Sequence, residues 1–349
     1  MRLGINLGYW GAGNDADNLA LAREADRLGY AVAWAAEAYG SDAATVLAWV
    51  AAQTEQIDVG SAIFQIPGRT PALTAMTAAT LDTLSQGRFR LGLGVSGPQV
   101  SEGWHGVKFD KPLARTREYV AIVKQALSRK KVAFDGEFFT LPLPDGPGKA
   151  LTLTVHPVRE NIPIYLAAIG PKNLELTGEI ADGWLAIFFA PEHAGELLGA
   201  IETGRAKVGK TLEGFDVVPT VPVLFGDDVQ ACADQVRAYA ALYIGGMGSR
   251  EKNFYNQLAV RMGYDAEAAE VQRLYLDREY RAAGAAVPFE FIDRTSLIGP
   301  RERVQERLSA YAEAGVTTLT VATYAGSLEE RLQTLRTMAE VLDASGLGG

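Results

Sequence analysis

Three histidines are the side chains best suited to moving protons near neutrality, and they stand far apart, at His105, His156 and His193. None has a second histidine four residues away or a cysteine partner, the spacing that sets two metal ligands on one helix face, so no metal is expected. His105 lies in Glu102-Gly103-Trp104-His105, and its imidazole is a candidate general acid, with Glu102 carried beside it as a second candidate. His156, before a proline, and His193, in a helix-prone run, read as structural or solvated. The single cysteine, Cys232, is flanked by Ala231 and Ala233 and reads as buried helix, with no partner for an internal disulfide. No Gly-x-Ser-x-Gly elbow occurs, which removes that route to nucleophilic hydrolysis.

Two glycine-bearing segments have spacing that suits a flat or phosphorylated ligand. In Ile169-Gly170-Pro171-Lys172 a glycine precedes a helix-prone run reaching about Ala181. The free N–H groups and dipole of such a helix start hold phosphate, and Lys172 adds charge. The same residues also read as an ordinary strand-to-helix turn with proline in the first helical position. Gly94-Val95-Ser96-Gly97 is equally two-sided: glycine admits a ligand close to the backbone, and tight loops need it too. Lys108, Lys111, Arg115 and Arg117 form a basic cluster within an acidic chain, either a solvated helix face or a partner for an anionic cofactor tail.

The elements that must position these residues follow from a repeated junction, in which a helix-period segment stops at glycine and an apolar run begins. It occurs at Leu28-Gly29, Gln86-Gly87, Asp182-Gly183 and Ala314-Gly315, where glycine just past a helix takes the left-handed conformation cheaply. Thr70-Pro71 and Gly299-Pro300 mark helix starts. Candidate strands begin near residues 2, 31, 57, 88, 163, 183, 215 and 317. Eight strands alternating with helices, with no Gly-x-Gly-x-x-Gly after the first, predict an α/β fold, a (β/α)₈ TIM barrel in a single domain over residues 1–349. Residues 131–160 interrupt the alternation with an Asp135-Gly136 hairpin turn and a Pro/Gly-rich loop, and residues 226–297 read as a helical insertion above the barrel. Catalytic groups of such a barrel lie just after its strands, which nominates Glu37, the Phe64–Arg69 stretch, the Gly94 loop and the Gly170 loop.

With 48% apolar and 21% charged residues in 349, the chain can bury a large core. Its net charge of −9 disfavours nucleic-acid and anionic-membrane partners and favours a small-molecule substrate. The opening Met1–Leu7 stretch does not read as a signal peptide and no apolar run spans a bilayer, so a cytoplasmic location is expected.

Several segments together resemble the luciferase-like monooxygenase superfamily: Trp34-Ala35-Ala36-Glu37, Val59 to Ile63 followed by Arg69-Thr70-Pro71, and Thr80-Leu81-Asp82-Thr83-Leu84-Ser85-Gln86-Gly87-Arg88. Leu91 to Gly94, Ala167 to Lys172 and Ile180 to Trp184 extend the match over nearly the whole chain. Ser96 to Val100 and Leu113 to Tyr119 look like the subgroup that uses coenzyme F420, an 8-hydroxy-5-deazaflavin. The resemblance implies an F420-dependent oxidoreductase moving hydride to or from a small organic molecule, with FMN-dependent monooxygenase and non-catalytic flavin-type binding barrel as alternatives, and a homodimer. It implies that Glu37 approaches the polar edge of the tricyclic ring, that Ala62 and Ile63, joined by a cis peptide, back the ring, and that the loops of Gly94, Val95 and Ser96 and of Ile169, Gly170, Pro171 and Lys172 hold the side chain and phosphate. Ala38 stands where many relatives have histidine, and Gly97 where sugar-phosphate-oxidising members have glutamate. Reduction of an activated C=C or C=N bond is the chemistry then favoured.

Overall fold

A computed structural model describes residues 1–10, 15–324 and 326–348. Eight parallel strands close on themselves: β1 (Arg2–Asn6), β2 (Val32–Ala35), β3 (Asp58–Ser61), β4 (Phe89–Gly94), β5 (Ile164–Ala167), β6 (Gly183–Ile187), β7 (Asp216–Phe225) and β8 (Thr318–Thr323). The ring is sealed where β8 pairs with β1 through Arg2 and Thr318. The expected (β/α)₈ barrel is the observed fold, and every strand begins within about one residue of its sequence signal, well inside the usual uncertainty of such boundaries.

The glycine junctions explain most of this register. Gly29, Gly87 and Gly315 have φ of 75°, 85° and 91°, the left-handed turn that lets each helix feed its strand. Gly183 does not share that role. It opens β6, and a Cβ there would sit 2.4 Å from the Tyr165 ring, so this glycine makes room for an aromatic inside the barrel. At the helix start, the Thr70 side chain accepts the Leu73 N–H at 3.1 Å with Pro71 in the first turn.

Side chains rather than a channel fill the barrel. Trp34 on β2 lies over Gly60 of β3, where a Cβ would stand 2.3 Å from the indole, and meets Tyr165 edge-on at a centroid distance of 5.2 Å. At the N-terminal end, Arg90 is clamped by Asp58 at 2.7 Å and Asp216 at 3.1 Å, and Tyr165 donates its hydroxyl proton to Asp216 at 3.0 Å. This base supports the barrel and leaves the opposite face for chemistry.

Both predicted interruptions take forms that differ in detail from expectation. Phe134–Asp135 and Thr140–Leu141 do pair antiparallel, but Asp135 belongs to the strand and the turn is the four-residue Gly136–Phe139 stretch. The Glu118 carboxylate sets its length by accepting the N–H groups of Glu137, Phe138 and Phe139. From residue 226, helices Val229–Ala241, Phe254–Arg261, Asp265–Leu276, Tyr280–Ala286 and Phe289–Arg294 follow, with a π-turn at Leu242–Gly246. They share a second hydrophobic core that includes Val236, Ala240, Val271 and Phe291. Leu297 is not helical: Leu297–Gly299 is a short strand pairing with the end of β7. A further pair of residues, Phe64–Gln65, adds to the end of β4 without any separate sequence signal.

Candidate active site

The carboxyl ends of β2, β3 and β4 converge on a network centred on Glu37. Its two oxygens accept the Arg69 guanidinium at 2.9 Å, the Ala43 N–H at 3.2 Å and the Gln65 N–H at 3.2 Å. Both partners of the Glu37–Arg69 pair are only 12% exposed, and Arg69 also meets Asp42 and lies 4.5 Å from the Phe64 ring centroid. Asp42 is held below the usual carboxylate range: bonds from Thr45 and the charge of Arg69 outweigh the opposing effect of burial. Glu37 is therefore a carboxylate that ties the loop after β2 to the loop after β3. Gln65, buried beneath it, donates its amide to the Ala38 carbonyl, the position where a histidine side chain was absent from the sequence pattern.

Beyond β3 the Ala62–Ile63 peptide is cis, as the resemblance implied. The Ile63 side chain projects toward β4, where a Cβ at residue 94 would lie 2.2 Å from its Cδ1. Gly94 thus makes room for Ile63. Beside it, Val95 is half-buried against the main core, and Ser96 takes the left-handed conformation with φ 59°. A branched aliphatic wall that a neighbouring glycine lets lie flat can back an aromatic plane.

At the end of β5 the loop of Ile169 and Gly170 leads into helix Pro171–Ile180. No side chain caps this helix, and nothing stands within 4 Å of a Cβ built on Gly170. Its first N–H groups are left without a side-chain cap, a condition for holding a phosphate. Lys172 contributes less than its charge suggests, because it is 81% exposed and pairs with Glu175, whose carboxyl Lys207 and Lys172 together hold at about 2. A cation the sequence did not nominate is Arg261, whose guanidinium reaches from the insertion to the Ile169 carbonyl at 3.2 Å.

His105 is half-buried beside the same mouth, its Nε2 3.3 Å from the Gln65 Oε1 and its ring against Gly68. Glu102 is exposed and closes its own loop by accepting the Phe109 N–H at 2.9 Å, so the two proton-donor candidates are not brought together. The basic cluster is mostly spent: Lys111 pairs with Glu137, Arg117 with Glu179, and Arg115 lies 4.8 Å from the Phe138 centroid. Arg115 keeps a buried Nε without a hydrogen-bond partner beside Val95 and Ile66. Among the described residues no three metal-ligating side chains converge.

The far side of the mouth is aromatic. Phe188, directly after β6 with φ 51°, contacts Tyr239 and Tyr243 of the insertion at 5.4 and 5.8 Å, and Tyr324, directly after β8, lies 5.5 Å from Tyr239. Continuing the strand-end rule to β8 points to Tyr324, and the four-residue step from Tyr239 to Tyr243 sets both on one helix face. No short-range signal marks Tyr255 or Arg261 as their neighbours.

Comparison with known proteins agrees with this arrangement. The chain is 42% identical over 337 residues, 95% of its length and 96% of the other, to a Mycobacterium tuberculosis protein named "Putative coenzyme F420-dependent oxidoreductase". It is 29% identical over 299 residues to the 5,10-methylenetetrahydromethanopterin reductase of Archaeoglobus fulgidus, covering 84% of this chain and 85% of that one. Among solved structures, the coenzyme F420 dependent tetrahydromethanopterin reductase from Methanopyrus kandleri superposes with a TM-score of 0.81 at 22% identity, over 97% of each chain. The family model described as luciferase-like monooxygenase matches residues 8–318, and the chain belongs to that family.

Proposed function

We propose that this protein is a coenzyme F420-dependent oxidoreductase that transfers a hydride between the deazaflavin and a small organic substrate, with reduction of an activated C=C or C=N bond as the favoured direction. The observation that carries the reading is the pairing of a flat wall with a phosphate cradle: Ile63 laid over Gly94 and, after the neighbouring strand β5, the uncapped helix start at Gly170. The named relatives support the same coenzyme.

These residues fit the coenzyme. Ala62 and Ile63 would back its ring, Val95 and Ser96 would flank it, and Gly170 with the backbone of Lys172 would take the phosphate, Arg261 standing beside that loop. When bound, the deazaflavin supplies two-electron hydride chemistry, while the chain supplies orientation and a dry mouth. Glu37, locked to Arg69, fixes the loops on which that wall stands.

Trp49, Leu73 and Met76 are 53%, 44% and 53% exposed on the contacting helices Ala43–Ala51 and Pro71–Leu84, an apolar face that supports a homodimer. No described helix is long and apolar enough to cross a membrane. The buried free thiol of Cys232 supports a reducing, cytoplasmic setting.

The test is an anaerobic single-turnover experiment in which reduced deazaflavin bound to the protein is mixed with enone, imine and sugar-phosphate substrates. Reoxidation by an enone or imine is expected. Oxygen consumption with bound FMN, and no reaction with the deazaflavin, would replace this reading by a monooxygenase.

A further inference from the structure

The aromatic side of the mouth is built from phenols. Tyr324 follows β8 and Tyr9 lies three residues past β1, while the insertion lays Tyr239, Tyr243 and Tyr255 over them. Centroid distances are 4.8 Å for Tyr239–Tyr243, 4.8 Å for Tyr243–Tyr255 and 5.5 Å for Tyr239–Tyr324. The Tyr239 ring thus packs against both Tyr243 and Tyr324. In the ring of strands, β7 and β8 lie opposite β3 and β4, so the insertion that follows β7 and Tyr324 after β8 face the Ile63 shelf. Burial, followed by neighbouring tyrosines, raises the Tyr239, Tyr243 and Tyr255 phenols.

We propose that the phenols of Tyr243 and Tyr324, packed on either side of Tyr239, supply the proton in this site's reaction, and that the substrate is a neutral, electron-poor unsaturated carbonyl compound. The inference rests on the coenzyme reading above. The β-carbon of the substrate accepts the hydride from the reduced deazaflavin, which is oxidised by two electrons. The π electrons shift onto the carbonyl oxygen. That oxygen takes the proton of Tyr243 or Tyr324, and the phenolate is reprotonated from water. The resulting enol has gained two hydrogens, one as hydride and one as proton, and tautomerises in water to the saturated carbonyl compound. Tyr239, whose ring packs against both donors, is a positioning residue.

Physical chemistry selects both donor and substrate. Burial in an uncharged aromatic wall disfavours phenolate, so these hydroxyls stay protonated throughout the neutral range and give up a proton only to a strongly basic centre such as a developing enolate oxygen. A wall of neutral phenols and the Phe188 ring offers no charge to a phosphate or carboxylate substrate. His105, hydrogen-bonded to Gln65 on the other side, is left out of the transfer.

The experiment uses the full chain with cyclohex-2-enone as probe. The infrared carbonyl band of the bound enone is measured without coenzyme in the parent protein and in Tyr243→Phe, Tyr324→Phe and His105→Gln. A carbonyl shift to lower frequency in the parent, lost in at least one tyrosine variant and kept in His105→Gln, is expected. A shift that survives both tyrosine changes, or vanishes in His105→Gln, overturns the proposal. With coenzyme present, kcat/KM is expected to be flat from about pH 6 to about pH 9 and to drop at least about 100-fold in the affected variant. A limb near neutrality that His105→Gln removes also overturns it. Failure to bind deazaflavin defeats the coenzyme reading alone, because the carbonyl band is read without it.

Discussion

Ile63 occupies the space that a side chain at residue 94 would need: its Cδ1 stands 2.2 Å from the position of a Cβ on Gly94. Two strands thereby share one surface, the side chain coming from β3 and the vacancy from β4.

Gly94→Ala is expected to push Ile63 out of this position. Overpacking of this kind costs about 1–3 kcal/mol, and the displaced wall should weaken coenzyme binding by at least about tenfold. Gly97→Ala is the control, because the nearest atom to its Cβ is the Gln99 Oε1 at 3.6 Å. Fluorescence titration with deazaflavin checks both, and equal affinities in the two variants would remove Ile63 from the site.

Gly170→Asp separates folding from phosphate binding. Aspartate at the start of helix Pro171–Ile180 should cap it, in a space where nothing stands within 4 Å, and leave the melting temperature unchanged or higher. The same carboxylate would repel a phosphate, so deazaflavin affinity should fall while thermal stability does not. Unchanged affinity would place the phosphate elsewhere.

Arg69→Ala is expected to leave Glu37 with only backbone donors in a site where both partners are 12% exposed. Removing one member of a buried pair costs about 3 kcal/mol, readable as a lower denaturant midpoint. A loss below about 0.5 kcal/mol would show that the pair behaves like a surface ion pair.

The tyrosine wall predicts a pH dependence at the alkaline end. Burial pushes the Tyr255 phenol up to about 12 from 10.0, and Tyr239 and Tyr243 are also raised. Between these values the unfolded chain has lost protons that the native chain keeps, so stability is fully present below about pH 10 and declines as pH rises toward 12. Each such group contributes up to about 1.4 kcal/mol per pH unit. Denaturant unfolding at increasing pH should show this decline, and replacing Tyr255 with Phe should reduce its slope.

The sequence carries the barrel plainly because its signals are local. Gly29, Gly87 and Gly315 mark the helix-to-strand turns, and Thr70-Pro71 marks a helix start, each within a few residues. The Gly170 loop was legible for the same reason. Gly183 was misread as a turn because what requires glycine there is the ring of Tyr165, a neighbour only in space. Arg261 at the Ile169 carbonyl, and Tyr255 beside Tyr243, are long-range consequences of how the insertion folds back, which no spacing encodes. Glu37 was found by its place after β2, but its partners Arg69, Ala43 and Gln65 give it the work of a brace.

The most direct test of the account is equilibrium titration of the purified protein with deazaflavin, FMN and NADPH in parallel. The account predicts saturable binding of the deazaflavin at least about tenfold tighter than FMN, with binding weakened by Gly94→Ala and by Gly170→Asp. Tight FMN binding with no deazaflavin binding would contradict it.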